Sequence, residues 1–183
     1  MNTQTLATTK WAIDPTHSEL TFKVKHLMIT NVKGEFRNFT ASIETEGDNF
    51  ETAKLDVTVD ATSIDTNNKD RDAHLKSADF FEVDNYPEIT FTGTSFLKLD
   101  DEHFRLKGLL NMKGVEKEIS LDVEFGGLVK DPWGNEKAGF SVSGKINRKD
   151  WGLNWNAAIE AGGVMVSEEV RIAGEVQFVR QPD

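Results

Sequence analysis

Lys54-Leu55-Asp56-Val57-Thr58-Val59-Asp60-Ala61-Thr62 alternates strictly between polar and apolar side chains. In an extended chain Leu55, Val57, Val59 and Ala61 fall on one side and their neighbours on the other, giving a strand with one dry face and one wet face. The rule repeats in both directions along the chain. Toward the N-terminus, Trp11-Ala12-Ile13 reads as a short opening strand stopped by Asp14-Pro15, and Leu20, Phe22, Val24 and His26 then share a face against Thr21, Lys23 and Lys25. A turn is expected near Asn31. Residues 33–44 change phase, since Phe36 shares a face with Phe39, Ala41 and Ile43 only if a bulge sits near Arg37-Asn38.

Toward the C-terminus the inward rows are Ile89-Phe91-Gly93-Ser95-Leu97, Phe104-Leu106-Gly108-Leu110, Ile119-Leu121-Val123-Phe125, Ala138-Phe140-Val142-Gly144-Ile146 and Val170-Ile172-Gly174-Val176-Phe178. Asp100-Asp101-Glu102, Lys113-Gly114 and Asp131–Asn135 mark turns, and a long connection runs from Arg148 to about Ser167. Only residues 66–86 abandon the alternation, and they read as a helical insertion at about 66–85 with Thr66 or Asn67 as its N-cap and Ser77 capping the next turn.

About eight substantial strands in this order describe an antiparallel meander, and the fold class is all-β. Such a sheet hides its edges most completely by closing into a barrel. A sandwich is the competing arrangement. Gly93, Gly108, Gly144 and Gly174 lie on the apolar rows, where tight coiling needs small residues, and this favours the barrel. Eight strands enclose a space that side chains can fill or that one small ligand can occupy.

At 183 residues the chain supports one well-buried core, with residues 1–10 read as a flexible N-terminus and 11–180 as a single domain. A net charge of −10 argues against nucleic acid and against docking on anionic membranes through a broad basic patch. No apolar run approaches the length of a membrane span, so no stable membrane insertion is expected. The chain has no cysteine, which excludes disulfides and thiolate chemistry. Its polar opening lacks a secretory h-region, so the cytoplasm is expected, or the periplasm if a leader was removed.

The segments Trp11–Ser18, Phe22–Leu27, Gly34–Phe36, Arg71-Asp72-Ala73-His74-Leu75-Lys76-Ser77-Ala78-Asp79-Phe80-Phe81, Tyr86-Pro87, Gly108–Val115 and Arg148–Gly152 occur in the order and spacing of a known family. In these the chain resembles the YceI-like family of polyisoprenoid-binding proteins, from about Lys10 to Arg180. The resemblance implies an extended lipocalin-like barrel that holds a polyisoprenoid, an isoprenoid quinone tail or a fatty-acyl derivative for sequestration, storage or transport. It also implies a homodimer. Export is common in the family, and this chain departs from it in showing no export signal.

The inward rows nominate Phe22, Val24, His26, Phe36, Phe91, Leu106, Phe140, Val142 and Phe178 as ligand-binding, with His26 a polar anchor for a head group or a buried imidazole satisfied by its neighbours. The family pattern assigns Arg71, His74, Phe80 and Phe81 to barrel closure. Read from the helix alone, Arg71 makes an intrahelical ion pair. Asp70 and His74 stand at a spacing that suits a metal, but no third ligand is near, and neither metal nor cofactor is expected. Phe80 and Phe81, being adjacent, point apart. Asp14, His17 and Ser18 line the mouth or stabilise a turn, and Trp133, Trp151 and Trp155 sit in loops at the barrel ends. No nucleophile elbow, phosphate loop or HExxH pattern is present, so no catalytic residue is expected. The alternatives are an enzyme or isomerase-like activity in the same cavity, and a barrel plugged by phenylalanines that acts as an interaction module.

Overall fold

Three strand positions of this sheet are broken in the middle, and those breaks decide its shape. The computed structural model describes residues 7–156 and 165–182. Within them the strands are β1 (Thr8–Ile13), β2 (Glu19–His26), β3 (Thr30–Phe36), β4 (Phe39–Glu46), β5 (Asn49–Asp60) and β6 (Ile64–Asp65). After the helix α1 (Lys69–Lys76) come β7 (Glu88–Lys98), β8 (His103–Met112), β9 (Val115–Lys130), β10 (Glu136–Asn147) and β11 (Glu169–Arg180). All neighbours pair antiparallel, and β1-β4-β5-β7-β8-β9-β10-β11 closes on itself because β1 pairs with both β4 and β11. The result is a closed eight-stranded barrel.

Strand β11 shows how β2, β3 and β6 extend that ring. Phe178–Arg180 pair with β1, whereas Arg171–Glu175 pair with β2. β1 and β2 are therefore two halves of one strand position. The break is made by Asp14, whose carboxylate accepts hydrogen bonds from the Thr16 backbone N–H and hydroxyl while also meeting His17 Nδ1 and Lys137 Nζ. Led by the His17 contact, these partners hold the Asp14 carboxyl far below the usual carboxylate range. β3 and β4 divide in the same way at Arg37-Asn38, the site of the expected bulge. β5 and β6 divide at the 3-10 turn Ala61–Ser63.

Local details depart from the expected pattern, most visibly in β7. Thr94 is an extra residue between the Gly93–Gly108 and Ser95–Lys107 pairs, so the phase of β7 flips. Phe96 consequently turns inward to stack on Phe104 at 4.5 Å, while Leu97, expected inside, is 55% exposed. The β2–β3 turn occupies Leu27–Ile29, and Asn31 already pairs with Lys25 inside the ladder. At the N-terminus β1 begins at Thr8 and buries Thr9, so residues 8–10 belong to the sheet and not to a flexible tail; residues 1–6 lie outside the described residues.

The glycines explain how closely the wall coils. A Cβ on Gly108 would lie 2.4 Å from Phe91 Cζ and 2.5 Å from the Thr92 carbonyl oxygen, so no side chain fits there.

Candidate functional site: a cavity along the barrel axis

The barrel is not filled. A cavity of ≈ 400 Å³ runs along its axis, within the range typical of small-molecule sites. Its far end, beside the β4–β5 turn, is closed by Ile43, Phe50, Phe140 and Phe178, all buried. The middle is hydrocarbon, with Leu55, Val57, Phe91, Leu106 and Val142 on the wall. The other end, beneath α1 and the β2–β3 hairpin, is lined by Phe22, Val24, His26, Phe36, Arg71, His74, Phe80 and Phe81. The nine residues nominated for ligand contact and the four nominated for closure thus face one continuous space. The cavity approaches the surface at this second end, where its lining includes exposed Lys25 and half-buried His26 and Val32.

Segment 66–86 closes that end through hydrogen bonds. Helix α1 is capped by Asn68, whose Oδ1 accepts from the Arg71 backbone N–H, and not by Thr66 or Asn67. Arg71 makes no intrahelical ion pair. Its Nε donates to Thr66 Oγ1 at 2.7 Å and its Nη2 to the Thr66 carbonyl at 2.6 Å, while Asp72 accepts from the Thr66 N–H and hydroxyl. Thr66 follows β6 directly, so the helix is tied to the wall it leaves. His74 turns to Asp79, with 2.9 Å between Nε2 and Oδ2, and away from Asp70. Its ring meets Trp155 edge-on at 4.7 Å and Phe80 at 5.1 Å. Phe80 and Phe81 diverge, the first toward Trp155 and the second edge-on to Phe36 at 5.9 Å.

The residue that sequence reasoning passed over is Arg148. It is 3% exposed and lines the cavity. Its guanidinium donates to four backbone carbonyls, from Nη1 to Leu153 at 2.6 Å and Trp155 at 2.9 Å, from Nε to Ser167 at 2.9 Å and from Nη2 to Val166 at 3.3 Å. Burial pushes its pKa down from the ordinary value, with the field of Glu168 opposing. A signal was available, because Arg148 continues the inward row of β10 by one further step of two beyond Ile146. Trp151 anchors the same connection by donating from Nε1 to the Leu110 carbonyl at 2.9 Å. Trp133 is 83% exposed in the β9–β10 loop, and the rest of the long connection, residues 157–164, lies outside the described residues.

Asp14, His17 and Ser18 do not reach the cavity. Ser18 binds both polar backbone atoms of Gln177 and serves the β1–β2 break. Among the described residues the lining contains Lys25, Arg71 and Arg148 but no aspartate or glutamate, although the chain carries a net charge of −10.

The description YceI-like domain fits residues 11–178 of this sequence. The chain belongs to the YceI-like family. This YceI-like chain is 40% identical over 171 residues to a UPF0312 protein of Staphylococcus aureus strain MSSA476, covering 93% of this chain and 97% of that protein. It is similar to the crystal structure of the Campylobacter jejuni YceI protein, with a TM-score of 0.75 and 39% identity over 86% of this chain and 90% of that one. A polyisoprenoid-binding domain from Saccharophagus degradans, implicated in plant cell wall breakdown, shares the fold at a TM-score of 0.72 and 16% identity, covering 93% of this YceI-like chain and 98% of that domain.

Proposed function

We propose that this barrel binds one long apolar chain bearing a polar head, namely an isoprenoid, an isoprenoid quinone tail or a fatty-acyl derivative, and sequesters or carries it. The observation that carries this reading is the ≈ 400 Å³ largely hydrocarbon-walled cavity, shut at Phe50 and with its charged lining residues Lys25, Arg71 and Arg148 gathered toward α1. A dry apolar cavity of about 150 Å³ already takes up benzene. Each methylene withdrawn from water contributes roughly 0.8 kcal/mol, so a dozen give about 10 kcal/mol before the costs of association. The tail lies toward Phe50 and the head beside His26. A lining whose described residues include three cations and no acid suits a head that accepts hydrogen bonds, such as a phosphate, carboxylate or quinone carbonyl, and disfavours an ammonium. That the Saccharophagus neighbour is a polyisoprenoid-binding domain supports a long apolar chain as the ligand.

The cavity's strongest polar groups are occupied with architecture, Arg71 on Thr66, His74 on Asp79 and Arg148 on carbonyls, which supports a binding role over catalysis. The test is organic extraction of purified protein with mass spectrometry, followed by native mass spectrometry of the delipidated protein with a prenyl phosphate, an isoprenoid quinone and palmitate. One apolar chain per protein is expected, and Val142→Trp, which fills the middle of the cavity, abolishes uptake. Failure of all three probes to bind the delipidated wild type overturns the reading.

A further inference from the structure

The β2–β3 turn is built from residues that suit neither its backbone nor its exposure. Leu27 and Met28 both have positive φ, 53° and 62°, and the Ile29 N–H donates to the His26 carbonyl at 3.2 Å. Two successive left-handed residues ordinarily call for Asn-Gly or a close variant. The β8–β9 turn has the same signs of φ and places Lys113 and Gly114 there. In the β2–β3 turn the chain instead carries leucine and methionine at a steric cost, and the tip is open to solvent, with Met28 49% and Ile29 78% exposed. The strands behind the tip supply Val24, Lys25, His26 and Val32 to the cavity lining, so the apolar tip stands at the mouth.

A row of cations crosses the outer wall beside it. The registers pair Lys33 with Lys23, Lys23 with Arg171 and Arg171 with Lys145, across β3, β2, β11 and β10. Directly opposed residues share a face, and all four side chains are exposed. At about 4.8 Å between strands the row spans roughly 15 Å. Like charges directly opposite one another destabilise a sheet. Glu169 lies 3.7 Å from Lys145 and 3.8 Å from Arg171, whereas Lys23, Lys25 and Lys33 have no acidic partner among the described residues. Residues 20–34 include three lysines and no acid, in a chain of net charge −10. The fold thus gathers on one face the positive charge that the composition conceals.

We propose that this hairpin and the basic row dock the barrel on an anionic membrane surface, tip first, so that the cavity mouth opens toward the lipid. Met28 and Ile29 enter the interfacial layer, and Lys25, Lys23 and Lys33 meet phosphate and carboxylate head groups behind it. The acidic remainder of the surface is repelled, which fixes the orientation. The proposal goes beyond cargo binding, because docking needs no occupied cavity. Each lysine near an anionic surface strengthens attachment by about five-fold.

Co-sedimentation with vesicles tests it, comparing pure phosphatidylcholine with mixtures containing phosphatidylglycerol. The full chain is expected to bind the anionic vesicles and to lose most of that binding at high salt. Lys23→Glu with Lys33→Glu lowers attachment at least ten-fold, and Met28→Ser with Ile29→Ser lowers it several-fold at unchanged salt dependence. Val142→Trp, which blocks only the cavity, and Lys130→Glu, at the far end, leave it unchanged. Circular dichroism confirms that each variant is folded. Equal sedimentation with neutral and anionic vesicles, or indifference to both the lysine and the tip variants, overturns the proposal. So does retention of a DNA duplex in the absence of vesicle binding, which assigns the basic row to nucleic acid.

Discussion

The two ends of the barrel are closed by different chemistry. At the β4–β5 end the strands pair in an unbroken ring, and the side chains need only pack. Phe50 sits 5.3 Å from Trp11, 5.5 Å from Phe125 and 5.3 Å from Phe140, and one hydrogen bond, from Trp11 Nε1 to Thr45 Oγ1, satisfies the buried indole. At the α1 end the aromatics Phe36, Phe80, Phe81 and Trp155 are interleaved with Arg71, His74 and Arg148. The reason is backbone. Where a sheet ends and its chain turns away, carbonyls point into a space with no partner strand, and a buried carbonyl without a donor is costly. Guanidinium groups with up to five N–H donors answer that need. A ladder end is sealed by hydrocarbon, whereas a ragged end is sealed by arginine.

The strongest way to break that contrast is to remove Arg148. Arg148→Ala leaves the Leu153, Trp155 and Ser167 carbonyls without their donor, while Val166 keeps the Asn156 amide, and each orphaned buried acceptor costs about 1–3 kcal/mol. A loss of roughly 5 kcal/mol is expected in urea unfolding, a large share of the 5–15 kcal/mol by which domains are usually stable. Arg148→Lys keeps the charge but loses the planar fork and recovers only part of it. Equal stability of wild type and Arg148→Ala would show that packing alone seals this end too.

The second intervention is at the hydrocarbon seal. Phe50→Ala removes the ring at the centre of the aromatic cluster and costs about 3–4 kcal/mol, as large buried aromatics do when truncated. It also lengthens the cavity past its present floor. Native mass spectrometry should then show a longer acyl or prenyl chain retained than by wild type, an effect that Arg148→Lys does not produce. A mutant as stable as wild type, with unchanged chain-length preference, would mean that Phe50 is not the floor.

The ring was legible in the sequence because alternation reports a dry face directly. Leu55, Val57 and Val59, or Phe140 and Val142, have one side to choose and choose it by hydrophobicity. The phase slip between Phe36 and Phe39 announced the β3–β4 break for the same reason. Leu97 was misread because Phe96 and Leu97 are both apolar, so the bulge at Thr94 left no mark in the pattern. Segment 66–86 was recognised as a closure but not how it closes. A donor to a backbone carbonyl has no sequence partner, so the Arg71–Thr66 and Arg148 contacts were invisible where acid–base spacing was sought. Asp70 and His74 had a spacing to read, but the spacing does not show the contact His74 makes, which is with Asp79.

The smallest expected effect lies in solvent, on the rim of the hydrocarbon-sealed end. In the β7–β8 turn, His103 Nδ1 meets Asp100 Oδ1 at 2.9 Å. That hydrogen bond, with the charge of Asp100, raises the His103 pKa above its ordinary 6.5. Asp100 is lowered below 3.8, first by the Glu102 backbone N–H and then by His103. The signs define a window. The raised histidine stabilises the fold fully below pH 6.5, and its contribution fades as pH rises through its folded pKa; the lowered aspartate contributes above pH 3.8 and fades as pH falls through its own. The pair is therefore at full strength only between those limits. Asp100→Asn should return the His103 midpoint, followed by its imidazole proton resonances in NMR, toward 6.5, while the melting temperature stays nearly constant because exposed pairs are screened by water. An unmoved midpoint would exclude the contact. A large fall in melting temperature would show that this end relies on its polar rim after all, erasing the distinction between a hydrocarbon seal and an arginine one.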